Sequence, residues 1–164
     1  MNNIRRLPGR FLSLSTQEKA LLVEAAALLM TIRLALGVLP FATLRRMLAR
    51  LAAPRPAVHG SDPDRAKAGR LRAVWAVEAV GRYCPAIGTC LTQALAAHVL
   101  MGRTGHKSDL RIGVRRNADG KFVAHAWLED DGTVLIGGAC HTGYIPMPVL
   151  NGLDPQVSPS EPRN

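Results

Sequence analysis

Two residues stand where thiol chemistry would need them. Cys90 directly follows Thr89, a good helix N-cap, and opens the apolar run Cys90-Leu91-Thr92-Gln93-Ala94-Leu95-Ala96. At the first turn of a helix, unpaired amides and the helix dipole favour a thiolate, which makes Cys90 a candidate nucleophile. A small apolar residue packed at a helix start accounts for the same position without chemistry, since cysteine is among the most buried residue types. His125 lies in Phe122-Val123-Ala124-His125-Ala126-Trp127-Leu128, a segment otherwise apolar and aromatic. There an imidazole needs a hydrogen-bond partner if it is buried, and a satisfied core histidine would be the plain explanation. A cysteine at a helix N-terminus with a histidine on a strand is, however, the arrangement in which thiol enzymes pair nucleophile and base.

A third group normally holds the imidazole in one tautomer. A two-residue turn at Asp131-Gly132 predicts Gly138 opposite His125, yet Ile136, Gly137 and Gly138 include no carboxylate or amide side chain. Glu129 shares a strand face with His125 but lies about 13 Å along it at the usual strand rise, and Asp130 and Asp131 read as turn residues. Gln93, one helical turn from Cys90, is a candidate oxyanion donor, although a partly exposed helix residue fits as well. Cys84 and Cys90 with His98, or with Cys140-His141, lack C-x-x-C or H-x-x-x-H spacing, so no zinc site is expected. No phosphate-cradling loop is present, and Trp75 and Trp127 are expected in the core.

These residues need elements to position them. Ser15-Thr16-Gln17-Glu18 has capping-box spacing and should start a helix running through Leu21, Leu22, Leu28, Leu29 and Ile32 to about Leu36, before Gly37 and Pro40. A basic amphipathic helix, Phe41 to Leu51, should follow, with Leu44, Met47, Leu48 and Leu51 on one stripe. Ala53 to Pro63 is Pro- and Gly-rich and reads as a linker. Asp64 should open a third helix to about Tyr83, with Leu71, Val74, Trp75 and Val77 apolar, and Thr89 should cap a fourth, Cys90 to Met101. Period-two alternation then predicts a strand around Leu110 to Arg115, a turn at Asn117 to Gly120, a strand from Lys121 to Glu129, and another from Thr133 to Ile136. The Pro-rich tail is expected to be irregular beyond Leu153. The expected organisation is a helical region at 1–52, a linker at 53–63, a core at 64–153 and a disordered tail at 154–164. This is an α+β arrangement, one central helix on an antiparallel sheet.

Length and composition fit that plan. The 164 residues are 48% hydrophobic and 20% charged, ordinary for one globular domain and unlike a disordered chain. The formal net charge is +9. Residues 1–82 carry 14 basic and 5 acidic groups, whereas residues 83–164 carry 7 of each, so the excess lies in the front half. Three cysteines do not form a secreted disulfide framework, and a reducing cytoplasm is the expected setting. Arg5, Arg6 and Arg10 are not followed by a signal-peptide h-region. Ala20 to Leu39 is long and apolar, but Glu24 and Arg33 interrupt it, which predicts a buried soluble helix rather than a transmembrane one, with peripheral membrane contact as the lesser alternative.

With Thr89-Cys90-Leu91-Thr92-Gln93-Ala94-Leu95-Ala96, then Ile112-Gly113-Val114 and Ala124-His125-Ala126-Trp127-Leu128-Glu129, the chain resembles the leader peptidases of lasso-peptide biosynthesis, the B proteins, whose protease domain is transglutaminase-like. The resemblance covers most of the chain, and Pro85 to Glu129 is its specific part. It implies a papain-like cysteine protease fold with Cys90 as nucleophile and His125 as general base. The implied activity removes the leader from a ribosomally made precursor so that an asparagine-synthetase-like cyclase can form the macrolactam, with no cofactor of its own. The family's third member, an aspartate, would fall near Gly137, where this chain has none. Either another side chain orients His125, or the pair works without an orienter, or catalysis is impaired. The front residues read as long helices without the strands of a winged-helix recognition module, so a separate recognition protein is expected to deliver the leader.

Two further readings share these residues. A related acyl transferase or deamidase would use the same thioester chemistry, and a catalytically silent module would use the basic helices to hold a partner protein. Nucleic-acid binding is motivated by charge alone and lacks aromatic platforms and any recognised motif.

Overall fold

A computed structural model of the chain describes residues 14–53, 63–138 and 143–147. The basic N-terminal residues, most of the expected linker, Cys140, His141 and the tail beyond Leu153 lie outside these.

Helix α1, Thr16–Val38, starts at the expected capping box. The Ser15 hydroxyl accepts from the Glu18 amide, and the Glu18 carboxylate accepts from the Ser15 amide at 2.8 Å. The helix passes Leu36 and takes Gly37 into its last turn, because the effective stop is Pro40, which holds Leu39 extended with ψ 145°. Only Ala25, Leu28, Leu29 and Ile32 are buried. The expectation of a buried helix is therefore corrected: α1 docks by one stripe, and Val23, Met30, Leu34 and Val38 are exposed on its outer side. By length and composition this helix could also cross a membrane.

Helix α2, Phe41–Leu51, buries Leu44 and Leu48, while Met47 and Leu51, expected on the same stripe, are exposed. Helix α3, Pro63–Tyr83, begins at a proline, whose missing N–H costs nothing at a first helical position. It buries Ala73, Ala76 and Val77, whereas Leu71 and Trp75 are exposed, so Trp75 is not the core residue expected from its type. Small residues let α3 pack tightly, and its larger apolar side chains are displaced to the rim.

Helix α4, Cys90–Arg103, is the hub, with Ala94, Leu95, Ala96, Ala97, Val99, Leu100 and Met101 buried. One continuous core joins these residues to α1, α2 and α3 on one side and to Leu110, Ala126, Leu128 and Ile136 of the sheet on the other. Ion pairs brace the periphery, Arg103 with Glu24 and Arg70 with Asp130. Asp130 is thus a strand-end partner of α3 and not simply a turn residue.

Four antiparallel strands follow in spatial order β3-β2-β1-β4: β1 Asp109–Arg116, β2 Phe122–Asp130, β3 Thr133–Ile136 and β4 Ile145–Pro146. Asp131 and Gly132, both at positive φ, make the tight turn from β2 to β3. β4 was not expected; it is two residues long within a Pro-rich stretch, and an edge position is where a strand proline is tolerated. In the β1–β2 ladder Leu110 faces Leu128 and Ile112 faces Ala126, which fixes that face on α4. Gly113 opposite His125 and Arg111 opposite Trp127 belong to the other face.

Candidate active site

Thr89 caps α4 as the sequence predicts, its hydroxyl oxygen accepting from the Thr92 amide. Cys90 is therefore the first residue of the helix, half-buried and with a free thiol. The preceding turn is tied down from several directions. Cys84 carbonyl accepts from the amides of Ile87 and Gly88 at 3.1 and 3.0 Å, and Arg33 Nε of α1 donates to Ala86 carbonyl at 3.2 Å. Thr92, fully buried, places its hydroxyl 2.5 Å from Ile87 carbonyl and 2.9 Å from Thr89 carbonyl. Gly88 lies directly on Gly81 of α3, where an added Cβ would come within 2.4 Å of the Gly81 Cα. Two glycines thus allow backbone to meet backbone just before Cys90.

Gln93 takes part in the same arrangement. Its carboxamide donates to Gly88 carbonyl at 2.6 Å and lies against Gly81. The contact makes Gln93 a brace for the turn that presents Cys90. That is a positioning role, which neither sequence reading of Gln93, an oxyanion donor or a partly exposed helix residue, included.

His125 is half-buried on β2, and its Nε2 lies 2.9 Å from the carbonyl oxygen of Gly137. A carbonyl can only accept, so Nε2 carries a proton, and in the neutral ring Nδ1 holds the lone pair. The ring is flanked by Trp127, at 6.1 Å between centroids, and by Tyr144, at 5.4 Å. Arg115 in turn lies over the Tyr144 ring, 4.8 Å from its centroid.

Gly137 follows the end of β3, where the pairing with β2 is irregular. The turn alone would pair Leu128 with Leu135; instead Glu129 faces Val134 and Leu128 faces Ile136, with an irregularity between them. The expected pairing of Gly138 with His125 is accordingly displaced by one residue. Gly137 has φ +82°, and a Cβ there would meet Ala126 carbonyl at 3.0 Å, Trp127 Cβ at 3.0 Å and His125 Nε2 at 3.2 Å. Near the position where the resemblance would place an acidic residue, the chain thus holds a glycine whose main chain contacts the same imidazole. Glu129 serves elsewhere, as expected: its carboxylate accepts from Trp127 Nε1 at 2.6 Å and from Arg111 Nε at 3.1 Å.

The structure joins the elements of a thiol–imidazole pair without closing it. α4 packs on β2, but through Ala126 and Leu128, whereas His125 and Trp127 project from the opposite face. No hydrogen bond links the Cys90 thiol to the His125 ring. Among the described residues no three His, Cys, Asp or Glu side chains gather as metal ligands. His98 is used structurally, its Nδ1 2.9 Å from the Ser108 hydroxyl.

A cysteine on a capped helix N-terminus, packed on an antiparallel sheet that carries a histidine, defines a class of α+β thiol proteins. Residues 35–148 match the family model of the transglutaminase-like superfamily, and the chain belongs to that superfamily. Its members are typically cysteine peptidases or acyl transferases. No curated protein and no solved structure matches the chain.

Proposed function

We propose that the chain is a cysteine peptidase that removes the leader from a ribosomally made lasso-peptide precursor, so that an asparagine-synthetase-like cyclase can form the macrolactam. The observation that carries this reading is the superfamily match spanning both Cys90, on its capped helix, and His125, whose tautomer leaves Nδ1 as a base. In the reaction Nδ1 takes the thiol proton and Cys90 sulfur attacks the scissile carbonyl. First-turn amides of α4 receive the oxyanion, and the imidazolium protonates the leaving amine. Water then releases the acyl group. A separate winged-helix recognition protein delivers the leader, the setting is cytoplasmic, and thiol and imidazole need no cofactor for this chemistry.

Replacing Cys90 by Ala in the presence of precursor and partner proteins tests it by mass spectrometry. Loss of leader release is expected, and unchanged cleavage would overturn the proposal. The mass change on the substrate separates hydrolysis from acyl transfer and deamidation.

The lack of a hydrogen bond between Cys90 and His125 and the neutral group at position 137 favour a second reading, a silent protein-binding module. Its Cys90 would react with iodoacetamide at the rate of an ordinary thiol, and catalysis would require a faster reaction that depends on His125.

A further inference from the structure

The sheet face that carries His125 is built around a missing side chain. Gly113 stands directly opposite His125 on β1 and is buried; a Cβ there would come within 2.8 Å of the Trp127 ring and 2.9 Å of the Tyr144 Cβ. Glycine thus lets both aromatic side chains approach the imidazole. Tyr144 in turn carries Arg115, whose guanidinium lies 4.8 Å from the ring centroid. Cation, phenol and imidazole therefore form one chain of contacts, with 5.4 Å between the two ring centroids. Arg115 is exposed, and an arginine laid on an aromatic face keeps the N–H edge of its planar fork free for a carboxylate.

Charge on this face is unbalanced at that point. Arg111 is closed in an ion pair with Glu129, whose carboxylate also accepts from Trp127, whereas Arg115 has no carboxylate partner among the described residues. The hairpin beside it adds Arg116 and Lys121 against Asp119, which already accepts from the Asn117 carboxamide. A substrate that reaches His125 comes over this face, because the ring projects away from α4. An extended peptide advances about 3.3 Å per residue, so the guanidinium lies within about three residues of a bond held at the imidazole. We propose that Arg115, held on the Tyr144 ring, receives a carboxylate of the peptide substrate and so sets a preference for an acidic group near the scissile bond. This rests on the peptidase reading and names a specificity-determining residue and a substrate class for the same site. Tyr144 is the positioning residue, acting through the guanidinium.

The test uses the full chain carrying Cys90→Ala, so binding is read without turnover. A labelled, end-capped peptide of alternating threonine and valine with one central glutamate is titrated by fluorescence anisotropy, beside its glutamine counterpart and that counterpart with a free C-terminal carboxylate. The glutamate peptide should bind about tenfold more tightly than the capped glutamine peptide. Tight binding of the free-acid peptide instead would support the same site and assign the carboxylate to a chain terminus. Arg115→Gln should abolish the preference with an unchanged melting temperature, since the side chain is exposed. Tyr144→Leu should reduce the preference although Arg115 remains, and Tyr144→Phe, which keeps the ring, should preserve it. Arg116→Gln removes the same charge from the next residue, whose guanidinium lies over Phe122, and should leave the preference intact. Equal binding of all three peptides, a preference that survives Arg115→Gln, or an equal loss in Arg116→Gln overturns the proposal. An Arg115-dependent preference in a chain whose parent fails to process precursor would count against the peptidase reading alone.

Discussion

The imidazole of His125 donates through Nε2 to the main-chain oxygen of Gly137, 2.9 Å away. A carbonyl sets the ring's tautomer as a carboxylate does, but it would bring no full negative charge to the imidazolium of the proposed reaction. The chain retains orientation and lacks that electrostatic support.

Gly137→Ala should disturb both fold and site. The left-handed backbone alone should cost about 1–2 kcal/mol, and the contacts at 3.0 Å add to it. Urea unfolding measures the loss, and stability equal to the parent's would show that the Gly137 geometry is wrong.

His125→Gln should leave the melting temperature close to the parent's, since the ring is only half-buried, and lower leader cleavage by about 10²–10⁴-fold. A variant that cleaves at the parent rate removes His125 from the mechanism.

Thr92→Val keeps the shape of a fully buried side chain but leaves the Ile87 carbonyl without its hydroxyl donor. A loss of about 1–3 kcal/mol is expected, with the alkylation rate of Cys90 altered because the turn before it loosens. No change in either measurement would mean that this hydroxyl does not hold the turn.

His98 gives the fold a pH dependence. Burial pushes its pKa below the ordinary 6.5, against smaller opposing effects of Ser108 and Asp109. Between the folded and unfolded pKa values the unfolded chain binds more protons, so this contribution to stability is complete above about pH 6.5 and falls as pH drops below it. Denaturation midpoints across that range should slope downward toward acid in the parent and less steeply in His98→Gln. Parallel slopes would exclude His98 as the source.

Local rules were enough for much of the fold. Ser15 and Glu18 close the capping box that their spacing announces, Thr89 caps the Cys90 helix, and Asp131-Gly132 makes the hairpin turn. Each depends on backbone groups a few residues apart, which the sequence orders directly. Trp75 is expected in the core from its type and Met47 lies on the apolar stripe from its spacing, but neither type nor spacing says which arc of a helix its neighbours will cover.

Sequence by itself therefore determined the helices and the first three strands, the candidate thiol and imidazole, and the absence of an acid near position 137. Only the tertiary structure decided what His125 bonds to, because the chain at the end of β3, with Gly137 at positive φ, sets the Gly137 carbonyl against the imidazole. It also decided that Gln93 braces the Gly88 turn and that His125 lies on the sheet face away from α4. Such relationships depend on where separate elements pack, and helix and strand periodicity report only which side of an element is apolar, not which neighbour it meets.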